Sequence, residues 1–523
     1  MLILLTVTIL LMTAIALLIL QVTAPSFRYN WLIGTGGALL GWISVFVWQA
    51  QMPLAVQFPA WQPEILFSQS PTFVGDGIAW AHTISLATLS LAILVTAVVR
   101  IGFPRPISWM GTLILTSLGV LAVLADNPLT LVLIWAAIDI SELIAQLRVV
   151  KDPVLSERTV IAFASRAAGT FVLLWADIVS VANGQTLDFR SAAPEAGLYL
   201  VLAASLRIGV LPLHLPYSEE SALRRGFGTG LRMISAASSL ILLARIPPAS
   251  LASPITPYLS ILVSLAAVYG GWQWLRAPDE LAGRPFWLIG MGSLAVAAAL
   301  RANPIGAAAW SCGLILAGGA LFLSSEQNKW LTRALAIGAW GISGLPFSLT
   351  ATGWNSGIVP PLLSWLAWPV LIAAHAMLVA GFIRHSLRKT TRASSEDQPI
   401  WAKNVYPIGI SLLLVMIVLL GVFGWEGALQ FGNWFVAVLT SILIAGLTWL
   451  TPRLQILNPV RAHWVRPAST SWLEWVYRAL WYLYRQLGRA SNMVSTMLEG
   501  ESGVMWTLLV LVLFVSFFAQ RNP

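Results

Sequence analysis

The apolar residues of this chain fall into long stretches of about 20 residues, separated by short polar segments. A helix of that length crosses the hydrocarbon core of a bilayer. Lipid offers no partner to an unpaired backbone group, so spanning segments of this length are helical. We predict an all-α polytopic membrane protein with about 16 transmembrane helices. The predicted spans are residues 3–21, 30–49, 78–98, 107–125, 128–147, 159–181, 196–216, 228–246, 255–275, 285–300, 304–324, 334–353, 358–383, 404–423, 430–450 and 503–519.

Two of the predicted spans contain a proline in their interior. Pro212 lies in span 7 and Pro346 in span 12. Proline removes an amide donor and clashes with the preceding turn, so both helices are expected to break there. His214 follows the first of these prolines. Paired interrupted helices are typical of transport paths, and a simple packing kink is the alternative.

Basic residues are distributed unequally between the two sets of loops. Of the 30 Lys and Arg residues, 23 follow odd-numbered spans, and only four follow even-numbered spans or lie in the C-terminal tail. Positive residues concentrate on the cytoplasmic side, so we predict that both termini lie outside. A prokaryotic plasma membrane is the expected location, since we find no transit peptide. The first stretch lacks a basic leader and a cleavage site, and is interpreted as a retained helix.

Composition narrows the function classes. Hydrophobic residues make up 58% of the chain and charged residues 10%, which indicates that the lipid bilayer is its solvent. The net charge is +9, but the basic residues are concentrated in loops on one predicted membrane face, so they do not predict nucleic-acid binding. A single cysteine, Cys312, allows no disulfide framework or CxxC metal site. No glycine pattern for nucleotides and no nucleophile–base spacing is present, so we predict no cofactor, no bound nucleotide and no active site within this chain.

Two polar segments interrupt the alternation of spans and short loops. Residues 385–404 are interpreted as a cytoplasmic linker. Residues 470–498 mix tryptophans with arginines, which is typical of an amphipathic helix on the membrane surface before the last span; a solvated connector is the alternative. Asp76, Asp126 and Asn127 are placed to cap helix starts, and His375 is interpreted as a packing residue.

Several motifs, in order, resemble the antiporter-like membrane subunits of respiratory complex I and of Mrp-type cation/proton antiporters. They are ASLRIGVLPLHLPY followed by RMISAASSLILLARI, then GISGLPFSLTATGW, with VGDGIAW and ADNPLTLVLIW earlier in the chain. The resemblance covers most of residues 70–355. It implies two inverted five-helix repeats, spans 4–8 and 9–13, each with one broken helix. It also implies proton or Na⁺ transport along buried Lys, Glu and His, with other membrane subunits as partners.

The expected organisation follows from these spans and the implied repeats. It comprises N-terminal helices, a first repeat, a second repeat, a linker with spans 14 and 15, the surface helix and a final span. The corresponding residues are 1–106, 107–246, 255–383, 384–450, 451–502 and 503–523.

The chain departs from the family where the family's charged residues lie. Ala136 stands at the glutamate position of span 5, and Arg207 at the lysine position of span 7. Leu231, Gly318 and Gly353 stand at the basic positions of spans 8, 11 and 12. A buried lysine can release its proton, whereas arginine keeps it, so the exchange in span 7 changes the chemistry.

Titratable residues nevertheless remain in the first repeat. Asp139 and Glu142 share one face of span 5. An intramembrane charge requires a partner, so we expect Arg207 and Arg166 to pair with these carboxylates. Arg232 lies nearby in span 8. Two interpretations remain open: a static ion pair, or a half-channel that uses Asp139, Glu142 and His214.

Three functions are compatible with the sequence. The first is a membrane subunit of a complex I-like (NADH–quinone oxidoreductase-type) or Mrp-like assembly that contributes to proton or cation translocation. The second is a non-conducting structural paralogue that holds a membrane arm together. The third is a membrane partner in inorganic-carbon uptake.

Overall fold

The three-dimensional structure is a computed structural model. It describes residues 2–450 apart from 26, 28, 60–69, 100–105, 149–152, 185–188, 190–192, 216–224, 252, 326–328, 359–361, 389–398, 426–427 and 430, and beyond 450 only Ala479, Tyr482, Gln486 and Arg489. The chain divides into two compact units, Met1–Arg461 and Ala462–Pro523. Apart from those last four residues, the predicted surface helix and final span lie outside the described residues.

The first unit is built from helices. They are α1 (Leu2–Thr23), α2 (Asn30–Trp48), α3 (Gly77–Val95), α4 (Pro106–Leu124), α5 (Pro128–Leu147), α6 (Pro153–Ala182), α7 (Pro194–Ile208), α8 (Arg225–Leu243), α9 (Thr256–Arg276), α10 (Glu280–Leu300), α11 (Pro304–Leu323), α12 (Lys329–Gly341), α13 (Ala367–Ser386), α14 (Ile400–Phe423) and α15 (Trp434–Leu450). Five of these helices begin at a proline, which is favoured at a first helical position because the missing amide hydrogen would have no partner there.

The predicted all-α polytopic membrane fold is confirmed. Within the described residues, 11 helices are long and apolar enough to cross a membrane. Most predicted spans match a helix within a few residues, and α5 matches at both ends. The largest departures are α12, which ends at Gly341, α13, which begins at Ala367, and α7, which ends at Ile208. The division into inverted repeats stays a prediction.

The helix α7 ends before its predicted proline. Its last helical residue is Ile208, and Gly209 follows with φ +79°, a left-handed conformation that glycine adopts without steric cost. The Val210 amide donates to the Ser205 carbonyl (2.8 Å), which closes the helix end. Pro212 lies in the turn that follows. Gly209 therefore ends the helix, and the proline keeps the chain from resuming it at once.

The helix α12 ends in a similar way. It stops at Gly341, and Gly344 has φ +74°. The Thr350 hydroxyl oxygen accepts a hydrogen bond from the Gly344 amide (3.1 Å), which holds the non-helical loop that contains Pro346. A short 3-10 helix, Ala351–Trp354, follows. Both predicted interruptions are therefore present, and each includes a glycine with positive φ.

A β-hairpin between α2 and α3 was not predicted. Strand β1 (Leu54–Gln57) pairs antiparallel with β2 (Thr72–Gly75), with Leu54 opposite Gly75. Strands of four residues carry too little periodicity to be recognised in sequence. The hairpin leads directly into Asp76, which caps α3 by accepting from the Ala79 amide (2.8 Å).

The predicted helix caps are mostly correct. Asn127 caps α5 by accepting from the Thr130 amide (2.9 Å). Asp126 instead accepts a hydrogen bond from Arg245 at 3.4 Å. This acidic residue therefore anchors the end of α8 instead of starting α5.

The centre of the first unit is formed by α3, α8, α10 and α11. Almost every residue of these helices is buried, so they are enclosed by protein around their whole circumference rather than on one face. Their hydroxyl side chains donate to carbonyls in the preceding turn, as Ser85 does to Ala81 and Thr88 to Ile84. Helix α9 packs against α10 and α13, and α6 packs against α7.

One buried charge was assigned wrongly from the sequence. Arg284 lies just outside the predicted span 285–300, but in the structure it belongs to the second turn of α10 and is completely buried. Its Nη1 donates to the Thr229 hydroxyl (3.1 Å), and its guanidinium faces the Phe322 ring.

The close approach of α6 to α7 gives a first prediction. A Cβ added at Gly169 would meet the Arg207 side chain and lie 2.9 Å from the Ala203 carbonyl oxygen, whereas one added at Gly36 of α2 meets nothing within 4 Å. We expect Gly169→Ala to lower the thermal unfolding midpoint of the purified protein. Gly36→Ala should leave it unchanged or raise it, since alanine favours a helix by about 1 kcal/mol over glycine. Equal shifts would contradict the packing described.

Candidate functional site: a buried arginine–carboxylate network

Five ionisable side chains from four helices meet inside the bundle. Asp139 and Glu142 come from α5, Arg166 from α6, Arg207 from the end of α7 and Arg232 from α8. Each is at most 3% exposed. The structure therefore brings together all the charged residues that the sequence placed in this site.

A bidentate contact joins Asp139 to Arg207. Arg207 Nη1 donates to Asp139 Oδ2 (2.6 Å) and Nη2 donates to Oδ1 (2.9 Å). Arg166 Nε donates to Oδ1 as well, at 3.1 Å. The planar guanidinium of Arg207 matches both carboxylate oxygens at once, an arrangement that the single ammonium of lysine does not reproduce.

Arg207 is held by four further neighbours. Its Nε donates to the Ser239 hydroxyl (3.1 Å), and Nη1 also contacts the Thr170 hydroxyl (3.1 Å) and the Arg166 carbonyl (3.2 Å). Its guanidinium lies 4.2 Å from the centre of the Trp135 ring, which adds a cation–π contact. These contacts fix the side chain in one position.

Glu142 forms the second branch of the network. Its Oε1 accepts from Arg232 Nη1 in a close ion pair and from Gln146 Nε2 at 2.7 Å. Arg166 Nη1 lies 3.5 Å from the same oxygen, so Arg166 bridges the two carboxylates. Oε2 of Glu142 is buried, with no hydrogen-bond partner among the described residues.

The network contains more basic groups than acidic ones. Three guanidinium groups face two carboxylates, so protonation of either acid would leave its arginine partners buried without compensation. Removing one member of a buried ion pair costs about 3–5 kcal/mol. The ion pairs therefore join α5, α6, α7 and α8.

His214 lies in the break after α7. Its Nδ1 donates to the Pro212 carbonyl (2.7 Å), and its Nε2 is buried with no hydrogen-bond partner among the described residues. The imidazole is thus bonded to the turn that the proline creates. No hydrogen bond described in the structure joins it to the carboxylates.

In the second half, tryptophans fill the space at the two positions where the family resemblance implies lysines. A Cβ added at Gly318 would lie 2.6 Å from Trp287 Nε1, and one added at Gly353 would meet the Trp310 indole. The two indole nitrogens donate to the Leu314 and Gly353 carbonyls, each at 3.2 Å. No room remains for a longer side chain at either glycine.

His375 belongs to the same aromatic region. Its Nε2 donates to the Ile342 carbonyl (2.7 Å) at the end of α12, and its ring contacts Trp310 and Trp354. This agrees with its interpretation as a packing residue. It is completely buried, like the two tryptophans.

Sequence reasoning missed the neutral members of the network. Gln146 lies one turn beyond Glu142 on the same face of α5, so the i, i+4 spacing was an available signal. Thr170 likewise lies one turn after Arg166. Trp135 and Ser239 gave no such signal, because their contacts with Arg207 depend on how α5, α7 and α8 pack. Among the described residues, no group of three or more His, Cys, Asp or Glu is placed to hold a metal ion.

Solved structures with a similar fold are chains of respiratory and antiporter membrane complexes. A chain of the Mrp complex from Dietzia sp. superposes with a TM-score of 0.70 at 15% identity, covering 100% of this chain and 63% of that one. A chain of the membrane-bound sulfane sulfur reductase, an archaeal respiratory complex, gives 0.63 at 14% identity, covering 98% and 100%. A chain of respiratory complex I from Thermus thermophilus gives 0.61 at 18% identity, covering 85% and 100%.

These similarities establish a shared fold. The similarity covers less than two thirds of the length of the Mrp chain, and the full length of each of the other two chains. No protein-family model matches the sequence, and no curated protein matches it. The resemblance to antiporter-like membrane subunits is confirmed at the level of the fold, and the division into two repeats stays a prediction.

The network predicts a strong dependence of stability on Asp139. Asp139→Asn keeps the shape of the side chain but leaves Arg207 and Arg166 without their counter-charge, so we expect a loss of about 3–5 kcal/mol in the free energy of unfolding. Asp177→Asn is the matched control, since Asp177 of α6 is only half-buried and has no ion pair among the described residues. Denaturant unfolding in detergent measures both. Comparable losses in the two variants would refute the structural role of the ion pair.

Proposed function

We propose that this chain is a non-conducting membrane subunit of an Mrp-like or complex I-like assembly, in which it joins neighbouring membrane subunits. The assembly type is supported by the fold shared with chains of the Mrp complex, the sulfane sulfur reductase and complex I. In this proposal, any proton or cation translocation by the assembly is carried out by its other subunits. The lipid bilayer is the environment of this one.

The observation that carries the proposal is the replacement of lysines by groups that do not exchange protons. Gly318 and Gly353 stand at lysine positions and pack against indoles. Arg207 stands at a third and holds Asp139 in a fork of two hydrogen bonds. A proton path needs groups that gain and lose a proton near neutral pH, and neither indole nor guanidinium does so.

The distribution of lysine agrees with this. The chain has four lysines, Lys151, Lys329, Lys389 and Lys403. Lys329 opens α12 and Lys403 lies in the first turn of α14, so no described helix carries a lysine near its middle. The central part of the bundle has arginines instead.

A second candidate function is proton or cation transport through the first half alone. It is favoured by two buried atoms without hydrogen-bond partners among the described residues, Glu142 Oε2 and His214 Nε2. Water between such atoms would give a short path. The inorganic-carbon alternative has no observation of this kind in its favour.

Ion flux separates these two functions. The assembly that copurifies with the tagged full-length chain is reconstituted into liposomes, and proton and Na⁺ uptake are followed with fluorescent indicators. We expect Glu142→Gln to leave the flux per assembled complex within about twofold of wild type. The removal of a transfer group would instead lower it about a hundredfold or more.

A control excludes loss of assembly as the cause. The amount of each partner subunit that copurifies is measured by mass spectrometry for wild type, Glu142→Gln and Asp177→Asn. Deletion of the whole chain is expected to separate the partners. Loss of flux in Glu142→Gln with all partners retained would contradict the proposal and establish the transport function.

A further inference from the structure

A cavity of about 300 Å³ lies where α9 begins, α10 ends and α13 begins. Arg301, the first residue after α10, contributes the charged part of its lining. Hydroxyls of Thr256 and Ser260 line it from α9, and Leu371 lines it from α13. The lining therefore combines one charged side chain with several polar and apolar ones.

Arg301 has no acidic partner among the described residues. It is 8% exposed. Its Nη2 donates to the Gly353 carbonyl (2.8 Å), while its Nε is buried with no hydrogen-bond partner. Its guanidinium also faces the rings of Trp354 and Trp368 at 5.4 and 5.5 Å. A buried guanidinium is costly without a counter-charge, so this position calls for an anion.

A comparison with Arg245 shows how unusual this is. Arg245 follows α8 and lies, by the alternation of spans, at the same membrane surface as Arg301. It contacts Asp126 at 3.4 Å and Asp76 at 3.8 Å. One arginine of this surface is thus neutralised by two carboxylates of its own chain, and the other by none that the structure describes.

The surroundings of the cavity indicate that its anion is a lipid. Trp365 and Leu366, next to the lining residues of α13, are 53% and 62% exposed, so the cavity opens where the bundle meets the bilayer. Tryptophans are typical of the headgroup level. A second cavity shares Ser253 with the first and continues between α7 and α9, lined by apolar residues such as Leu202 and Leu259. Glu195 also lines this second cavity, and its charge disfavours an anion there.

We propose that this cavity binds one anionic phospholipid, with the headgroup phosphate on Arg301 and an acyl chain along Leu371 toward the second cavity. Arginine matches the geometry of a phosphate. The hydroxyls of Thr256 and Ser260 donate to the Leu251 and Thr256 carbonyls, so Arg301 carries the recognition of the headgroup. The lipid supplies the counter-charge that the chain itself lacks. This site is independent of the buried network on α5 to α8 and of whether the chain conducts ions.

Lipid retention in native mass spectrometry tests the site. The full-length chain in detergent is given equal amounts of phosphatidylglycerol and phosphatidylcholine, and the ratio of single bound lipids is measured. We expect wild type to bind phosphatidylglycerol in preference to phosphatidylcholine. In Arg301→Gln the ratio of the two bound lipids should fall about tenfold, which is the contribution of one charge-assisted contact. An equal ratio in wild type, or an unchanged preference in Arg301→Gln, would overturn the proposal.

Two further variants keep the test valid if Arg301→Gln does not fold. Ser260→Trp fills the cavity and leaves Arg301 in place, so it is expected to abolish the bound phosphatidylglycerol. Leu262→Trp is the matched control, since Leu262 lies on the same helix, is 52% exposed and does not line the cavity. Retention of phosphatidylglycerol in Ser260→Trp would place the lipid elsewhere and overturn the proposal.

A comparison with inorganic phosphate separates a lipid from a free anion. If inorganic phosphate alone raised the melting temperature of the protein as much as phosphatidylglycerol does, the site would be one for free anions and the lipid proposal would be wrong.

Discussion

The fork of two hydrogen bonds between Asp139 and Arg207 determines much of the arrangement of the first half of this protein. Asp139 lies near the middle of α5, and Arg207 lies at the last turn of α7, one residue before the helix is interrupted. Neither charge is stable in lipid alone. Pairing them therefore fixes the distance between α5 and α7, and the contacts of Arg166 and Arg232 bring in α6 and α8.

The interruption of α7 and the ion pair depend on each other. Gly209 turns the chain directly after α7, which places Arg207 in the last turn of the helix. The hydrogen bonds from Arg207 to Asp139 in turn hold that helix end in place. Gly169 permits the approach, since a side chain there would meet Arg207. In the second half the interruption after α12 is stabilised without charge, by the Thr350 hydroxyl and by His375 on the Ile342 carbonyl. The two halves thus hold similar breaks with different chemistry.

Much of this was predictable from the sequence. Apolar stretches of membrane-spanning length predicted the positions of most helices. The requirement that buried charges be paired predicted that Arg166 and Arg207 would contact the carboxylates of α5. The places where prediction failed are those where packing decides. The burial of Arg284, and the contacts that Gly318 and Gly353 make with tryptophans, depend on how helices distant in sequence pack against one another. The hairpin of β1 and β2 is too short for its periodicity to be recognised.

The central claim is that Asp139 and Glu142 are permanent members of an ion-paired network and do not carry protons. Infrared difference spectroscopy on the full-length protein, with pH stepped from acidic to alkaline across neutrality, measures their protonation directly. Asp139→Asn and Glu142→Gln assign the bands. The network predicts that no band of a protonated carboxyl group from either residue appears or disappears in this range. A band that changes with pH and is removed by Glu142→Gln or by Asp139→Asn would contradict the account.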